Sequence, residues 1–179
     1  MPKPAPLFLL LGCLMLTGCS GTTTDPTALY NKKANELIAH IIQKSECDCV
    51  LEIPKESIIQ IDERPHLDIR KEVIKQLQLA NTTELDTLVN WSRKFELDSL
   101  ALQKKGINIV TLESVMAVKR NNDGKLLQHC TKGILAIQKP IFDRTFKKAV
   151  IDFSWVFTCI RMPIRTFEFK NNKWTPIED

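Results

Sequence analysis

Thiols and imidazoles are the side chains here best suited to chemistry, and there are few of them: Cys13, Cys19, Cys47, Cys49, Cys130 and Cys159, with His40, His66 and His129. His129-Cys130 and Cys47-Asp48-Cys49 together offer the imidazole and thiolate donors that zinc takes. Tetrahedral sites usually join two Cys-x2–4-Cys-type pairs, which this spacing does not match, so no metal site is expected. Residues 126 to 142 read as strand, and neighbours on a strand point to opposite faces. Adjacency therefore does not make His129 a base for Cys130. The chain has no Gly-x-Ser-x-Gly elbow, no His-Glu-x-x-His and no Gly-rich phosphate loop. His40 stands beside the apolar stripe of a helix, while His66 and the carboxylates Asp62-Glu63 fall in a loop. A glycosidase would need its two carboxylates across a cleft, which sequence does not show. No catalytic residue and no cofactor is implied.

The N-terminus carries the most specific signal. Lys3 precedes an apolar run from Leu7 to Leu16, long enough for a signal-peptide core and too short to span a bilayer. It ends in Leu16-Thr17-Gly18-Cys19. These four residues resemble the lipobox of bacterial lipoproteins, an aliphatic residue and two small ones before an obligatory cysteine. The resemblance implies removal of residues 1–18 and acylation of Cys19, by a diacylglyceryl thioether and usually an N-acyl chain such as palmitate. Cys13 competes, but would strand Leu14, Met15 and Leu16 on the mature chain. Three acyl chains exceed the two signals that stable membrane attachment requires. Residues 19–27 then form the lipidated end and a polar tether. The enterobacterial sorting rule that comes with the resemblance places a protein with Ser20 at the outer membrane, on its periplasmic face.

Cleavage leaves 161 residues, the size of one domain, assigned to 28–179. In them 24 basic residues face 21 acidic ones, a balance that gives no electrostatic case for nucleic acid. Export places Cys47, Cys49, Cys130 and Cys159 in an oxidising compartment, where they are disulfide candidates with three possible connectivities. A Cys47–Cys49 bridge would close a very small ring.

The elements that must position these residues follow from periodicity. Asp25-Pro26 is a helix start, and Tyr30, Ala34, Leu37, Ile38, Ile41 and Ile42 make an apolar stripe over 26–44. Short strands are expected at CVLEIP and SIIQI, with a break at Arg64-Pro65. A second helix begins at Asp68, with Ile69, Val73, Ile74 and Leu77 on one face. A third is capped by Thr83 and either runs to Lys105 or breaks near Asp98 and restarts, with Gly106 as C-cap. After Gly106 the period falls to two, predicting a strand through Val110, Leu112, Met116 and Val118. A hairpin turn follows at Asn121–Gly124, then strand over 126–142, broken near Gly133. In KAVIDFSWVFTC the residues Ala149, Ile151, Phe153, Trp155, Phe157 and Cys159 share one face. Phe167 and Phe169 alternate with polar residues before a turn at Asn171-Asn172. A tight hairpin at Arg144-Thr145 would oppose residues whose numbers sum to 289, which sets Cys130 against Cys159 unless a bulge at Gly133 or Pro140 intervenes. Cys47 and Cys49 would then pair or stay reduced.

The fold class that results is α+β: N-terminal helices packed on a C-terminal antiparallel meander of four to five strands, in two layers. In element order alone this is similar to the cone-shaped folds of nuclear transport factor 2. The C-terminal portion, KPIF…KKAVIDFSWVFTC…FEFKNNKWTPI, resembles exported bacterial lipoproteins of unknown function, which imply no activity. Arg144, Lys147 and Lys148, with Arg161 and Arg165, form a basic group able to touch anionic headgroups or cell-wall polymer. Trp155 belongs to the core; Trp174 either closes it or is exposed for binding. The expectation is a lipid-anchored cell-envelope protein held by acyl chains on Cys19. It would act as a non-enzymatic binding module, of which an immunity or inhibitor protein is one type, with a protein or envelope-polymer partner. The alternative is an envelope-acting hydrolase whose residues meet only in three dimensions.

Overall fold

The computed structural model describes residues 25–57, 59, 68–121, 124–157 and 164–177. Helix α1 spans Pro26–Ser45 and opens two residues before the predicted domain boundary at 28. Asp25 Oδ1 accepts from the Thr27 N–H at 3.0 Å and Pro26 occupies the first turn, so the predicted start is the observed one. Its six stripe residues are all buried. Helix α2 spans Ile69–Leu77 and is capped by Asp68, as expected. Helix α3, Thr82–Trp91, is capped by Asn81 rather than Thr83, because the Asn81 side chain reaches the Glu84 N–H at 2.9 Å. A 3-10 turn, Ser92–Lys94, ends it, and α4, Ser99–Gln103, restarts on the cap of Asp98. Gly106, with φ of 78°, lets its own N–H reach Gln103 O and that of Ile107 reach Leu102 O, closing α4 in a left-handed terminus.

The predicted strand through Val118 is a correction. Only Asn108–Val110 (β2) is extended, and Leu112–Asn121 is a helix, α5. Thr111 Oγ1 accepts from the Ser114 N–H, and Glu52 Oε1 accepts from that of Leu112, so two side chains satisfy the donors of the first turn. Residues Lys125–His129 are likewise helical (α6) where strand was predicted. The hairpin predicted at Asn121–Gly124 is thereby corrected, since helices and not strands flank that segment; Asn122 and Asp123 lie outside the described residues. Of the early strands, Cys49–Leu51 (β1) forms; the one over 57–61 and the break at Arg64-Pro65 fall largely or wholly outside the described residues.

The remaining strands are β3 (Ile134–Ile137), β4 (Ile141–Phe142), β5 (Lys148–Ile151), β6 (Phe153–Trp155), β7 (Arg165–Lys170) and β8 (Lys173–Ile177). They make two four-stranded sheets. One has the order β4-β5-β7-β8 and is antiparallel throughout, the C-terminal meander in an α+β fold. The other has the order β2-β1-β3-β6, with β1 parallel to both β2 and β3. The parallel pairs were not expected, and they depart from a single curved meander. One long hairpin links the sheets, its first arm supplying β3 then β4 and its second β5 then β6. Opposed residues sum to 291 at Phe142↔Ala149 and to 290 at Leu135↔Trp155, so the register slips by one at Gln138–Pro140. Gly133, at φ of 99°, stands immediately before β3, where a break was predicted. A Cβ there would stand 2.9 Å from the Trp155 ring.

The layering also differs from the expected two. α1 lies against one face of both sheets, over Val50, Leu135, Phe142, Ile151 and Trp174. Helices α2 and α3 cover the far face of the antiparallel sheet through Val73, Leu85, Leu88, Ile141 and Val150. On the other sheet's far face, Val115 of α5 and Leu126 of α6 pack with Cys49, Cys130 and Ile134. Strand β5 is accordingly apolar on both sides, with Ala149, Val150 and Ile151 all fully buried, and a single alternating face was too narrow a reading of it.

Candidate functional site

The cysteines separate by environment. Cys49 and Cys130 form a disulfide that joins β1 to the link between α6 and β3. This replaces the predicted Cys130–Cys159 bridge: the hairpin turns one residue later than Arg144-Thr145, so opposed residues sum to 291 and then 290 rather than 289, and β1, parallel to β3, brings Cys49 opposite Ile134. Cys159 lies outside the described residues, as do Cys19, His66, Asp62, Glu63 and Arg161. Cys47 is a free buried thiol. It lines a surface groove of about 580 Å³ with Gln43, Glu46, Lys105 and Lys132. Burial first, then the neighbouring Asp48 charge, pushes the Cys47 thiol up, away from the reactive thiolate.

The disulfide takes both thiols that a zinc site near His129 would need, and His129 is exposed. Among the described residues no three His, Cys, Asp or Glu side chains stand close enough to hold a metal ion. His40 is half-buried on α1; burial and then Lys44 lower its pKa, which favours the neutral ring. Trp174 is core, tilted against Phe142 and Phe169, and Trp155 is half-buried against Gly133. Arg165 stacks over Phe153 at 4.5 Å.

The site most fully built among these residues was not singled out by sequence. It is an open groove of about 590 Å³ between the exit of β1 and the 3-10 turn. Phe95, Leu97 and Ile109 are partly buried there against the main core, and Lys55, Arg93 and Lys94 stand exposed around them. Lys139 lies at its base, 4% exposed, in the bulge between β3 and β4. Its ammonium donates to Lys55 O at 2.6 Å and Ser92 O at 3.1 Å, tying the loop after β1 to the end of α3. Burial lowers the Lys139 pKa, and the Glu56 charge opposes that shift. A charged residue within Ile137-Gln138-Lys139-Pro140-Ile141 was the available signal, since lysine in an apolar strand needs partners.

One wall of the groove is held by two asparagines four residues apart on α1. Asn31 donates to Lys94 O and accepts from the Glu96 N–H; Asn35 donates to Glu96 O and accepts from the Asp98 N–H, all at 2.8–3.2 Å. Two side-chain amides thus stand in for a neighbouring strand along 95–98 and set Phe95 and Leu97 against the core. Replacing both asparagines by alanine is expected to cost about 1 kcal/mol each. Hydrogen exchange at Glu96 and Asp98 should accelerate while that of α1 stays unchanged. Equal protection of those two amides in the variant would disprove the clamp.

Among the described residues no helix is long and apolar enough to cross a membrane. Comparison of the chain with family models, curated proteins and solved structures finds no match.

Proposed function

We propose that this is an exported protein, acylated at Cys19 and held on the periplasmic face of the outer membrane, whose domain is a non-enzymatic binding module. The observation that carries the reading is the buried Cys49–Cys130 disulfide. A structural cross-link of this kind belongs to an oxidising compartment, which agrees with a signal ending in Leu16-Thr17-Gly18-Cys19. Two independent parts of the chain then point outside the cytoplasm.

The groove beside Lys139 supports binding over catalysis. Its apolar residues, with exposed Lys55, Arg93 and Lys94 outnumbering Glu52 and Glu96 around them, suit an extended, acidic segment of a protein partner, in the manner of an immunity or inhibitor protein. Glu52, on the same wall, is engaged at the start of α5.

The test is the intact mass of membrane-extracted protein, wild type against Cys19→Ala, with thiols counted under denaturing conditions. The expected wild-type mass lacks residues 1–18 and carries acyl groups that the variant lacks. A soluble, unacylated wild-type protein would end the anchor reading. Free thiols at Cys49 and Cys130 would end the argument from the cross-link.

A further inference from the structure

The two turns of the antiparallel sheet that lie beside the start of α1 make a basic end of the molecule. Lys148 opposes Glu168, and the Phe169 N–H donates to Lys147 O at 2.7 Å, so the β4–β5 turn and the β7–β8 turn sit side by side. Arg144 and Lys147 are exposed on the first, Lys170 and Lys173 on the second. α1 begins at this same end: the Lys33 ammonium lies 3.6 Å over the Phe169 ring, and Tyr30 packs edge-on to Phe142. The far end of α1 leads instead to Cys49, which pairs with Ile134 at the other end of the long hairpin.

Charge at this end is partly neutralised. Arg144 pairs with Glu84, Lys170 with Glu168 and Lys33 with Glu36. Asp143 accepts the N–H groups of Lys147 and Lys148. Exposed Lys32, Lys147 and Lys173 make no ion pair among the described residues, against Asp25 and Asp143 on the acidic side, so a small basic surplus remains.

Tether length decides what faces this surplus. From Cys19 to Asp25 the chain spans six residues, at most about 20 Å when fully extended. α1 alone, at 20 residues, is about 30 Å long. With Cys19 acylated, the end at which α1 begins would be held within about 20 Å of the bilayer, whereas the end at which it finishes could stand farther off.

We propose that this turn end rests on anionic lipid headgroups of the membrane that holds Cys19, with Lys147 and Lys173 as the main contacts. The inference rests on the anchor reading above and adds an orientation and a second attachment to it. An acyl anchor and a basic surface are additive membrane signals. Each lysine near an anionic surface is favoured about fivefold.

The experiment is amine-reactive footprinting of the mature lipidated protein in phosphatidylcholine vesicles with and without phosphatidylglycerol. Reactivity of Lys147 and Lys173 is expected to fall about fivefold in the anionic vesicles and to recover in high salt. Lys104 and Lys105, beyond the C-terminal end of α4, should be unchanged. In the Lys147→Gln/Lys173→Gln variant, Lys170 should lose its protection too. An acylated protein whose Lys147 and Lys173 react alike in both vesicles would overturn this inference and leave the anchor intact. Protection by isolated cell-wall polymer, and not by anionic vesicles, would overturn it in favour of a polymer contact. Absence of acyl groups from the intact mass removes both readings together.

Discussion

Cys49→Ala, or reduction of the wild-type protein, is expected to lower stability by about 4–5 kcal/mol. The bond joins residues 81 apart, and the loop-closure entropy it removes from the unfolded chain grows with that separation. The native state loses as well, since both cysteines are buried at the centre of the cluster that holds Val115 of α5 and Ile134 of β3 together. Asp48 reinforces the same junction: its Oδ2 accepts from Thr131 Oγ1 and from the Lys132 N–H, each at 2.9 Å. Burial pushes the Asp48 carboxyl up, but those hydrogen bonds outweigh it and hold it below its ordinary value. Its contribution is complete above the ordinary carboxylate range and is lost as pH falls through the lowered folded-state value. The measurement is the denaturation midpoint of wild type, Cys49→Ala and Cys130→Ala, with and without reductant. The two variants should match each other and reduced wild type. A wild-type midpoint insensitive to reductant would mean that the bond is not formed.

Tyr30 is the second expected large effect, and it has a clean optical readout because it is the only tyrosine in the chain. It is fully buried, donates to Pro140 O at 2.7 Å, and meets Phe95 and Phe142 edge-on. Burial raises its pKa far above the usual tyrosine value, with the Ser92 hydroxyl opposing. The raised value means that Tyr30 supports the fold fully below about pH 10, where an unfolded tyrosine begins to ionise. That support declines by about 1.4 kcal/mol per unit as pH rises further. Tyrosinate absorbance should therefore stay flat until the protein unfolds and then appear in step with loss of circular dichroism. Ionisation near pH 10 with the fold intact would contradict the burial. Tyr30→Ala should cost about 3–5 kcal/mol, and Tyr30→Phe about 1–3, the latter from leaving Pro140 O unpaired.

Where a local pattern fixes an element, the sequence was enough. α1 and α2 each join a side-chain cap to a stripe at spacings of three and four, and both lie where expected. Asn171-Asn172 turns as predicted, with both residues at positive φ. Residues 112–118 were read from their alternation of apolar residues alone, and the structure adds a Thr111 cap. The cap prevailed because Val115 alone needed burial, while Leu112 and Met116 stay exposed. The disulfide was illegible for a different reason. It depends on β1 entering between β2 and β3 in parallel, a pairing that leaves no mark on neighbouring residues. The groove was missed in the same way, since Lys139, Phe95 and Ile109 meet only after that pairing has formed.

The parallel position of β1 also dictates an order of assembly. Two of the three pairings of the antiparallel sheet close through short turns, whereas β1 waits for β2 and β3 from far along the chain, so its sheet is expected to form later. In a chain delivered N-terminus first, Cys47 and Cys49 emerge together, long before Cys130. An early oxidant would find the wrong neighbour, and the small ring would have to be reopened before the native bond could close. Cys47→Ser is thus expected to reach its oxidised fold faster than wild type, followed by trapping free thiols during refolding; identical time courses would show that β1 is never caught with its wrong partner.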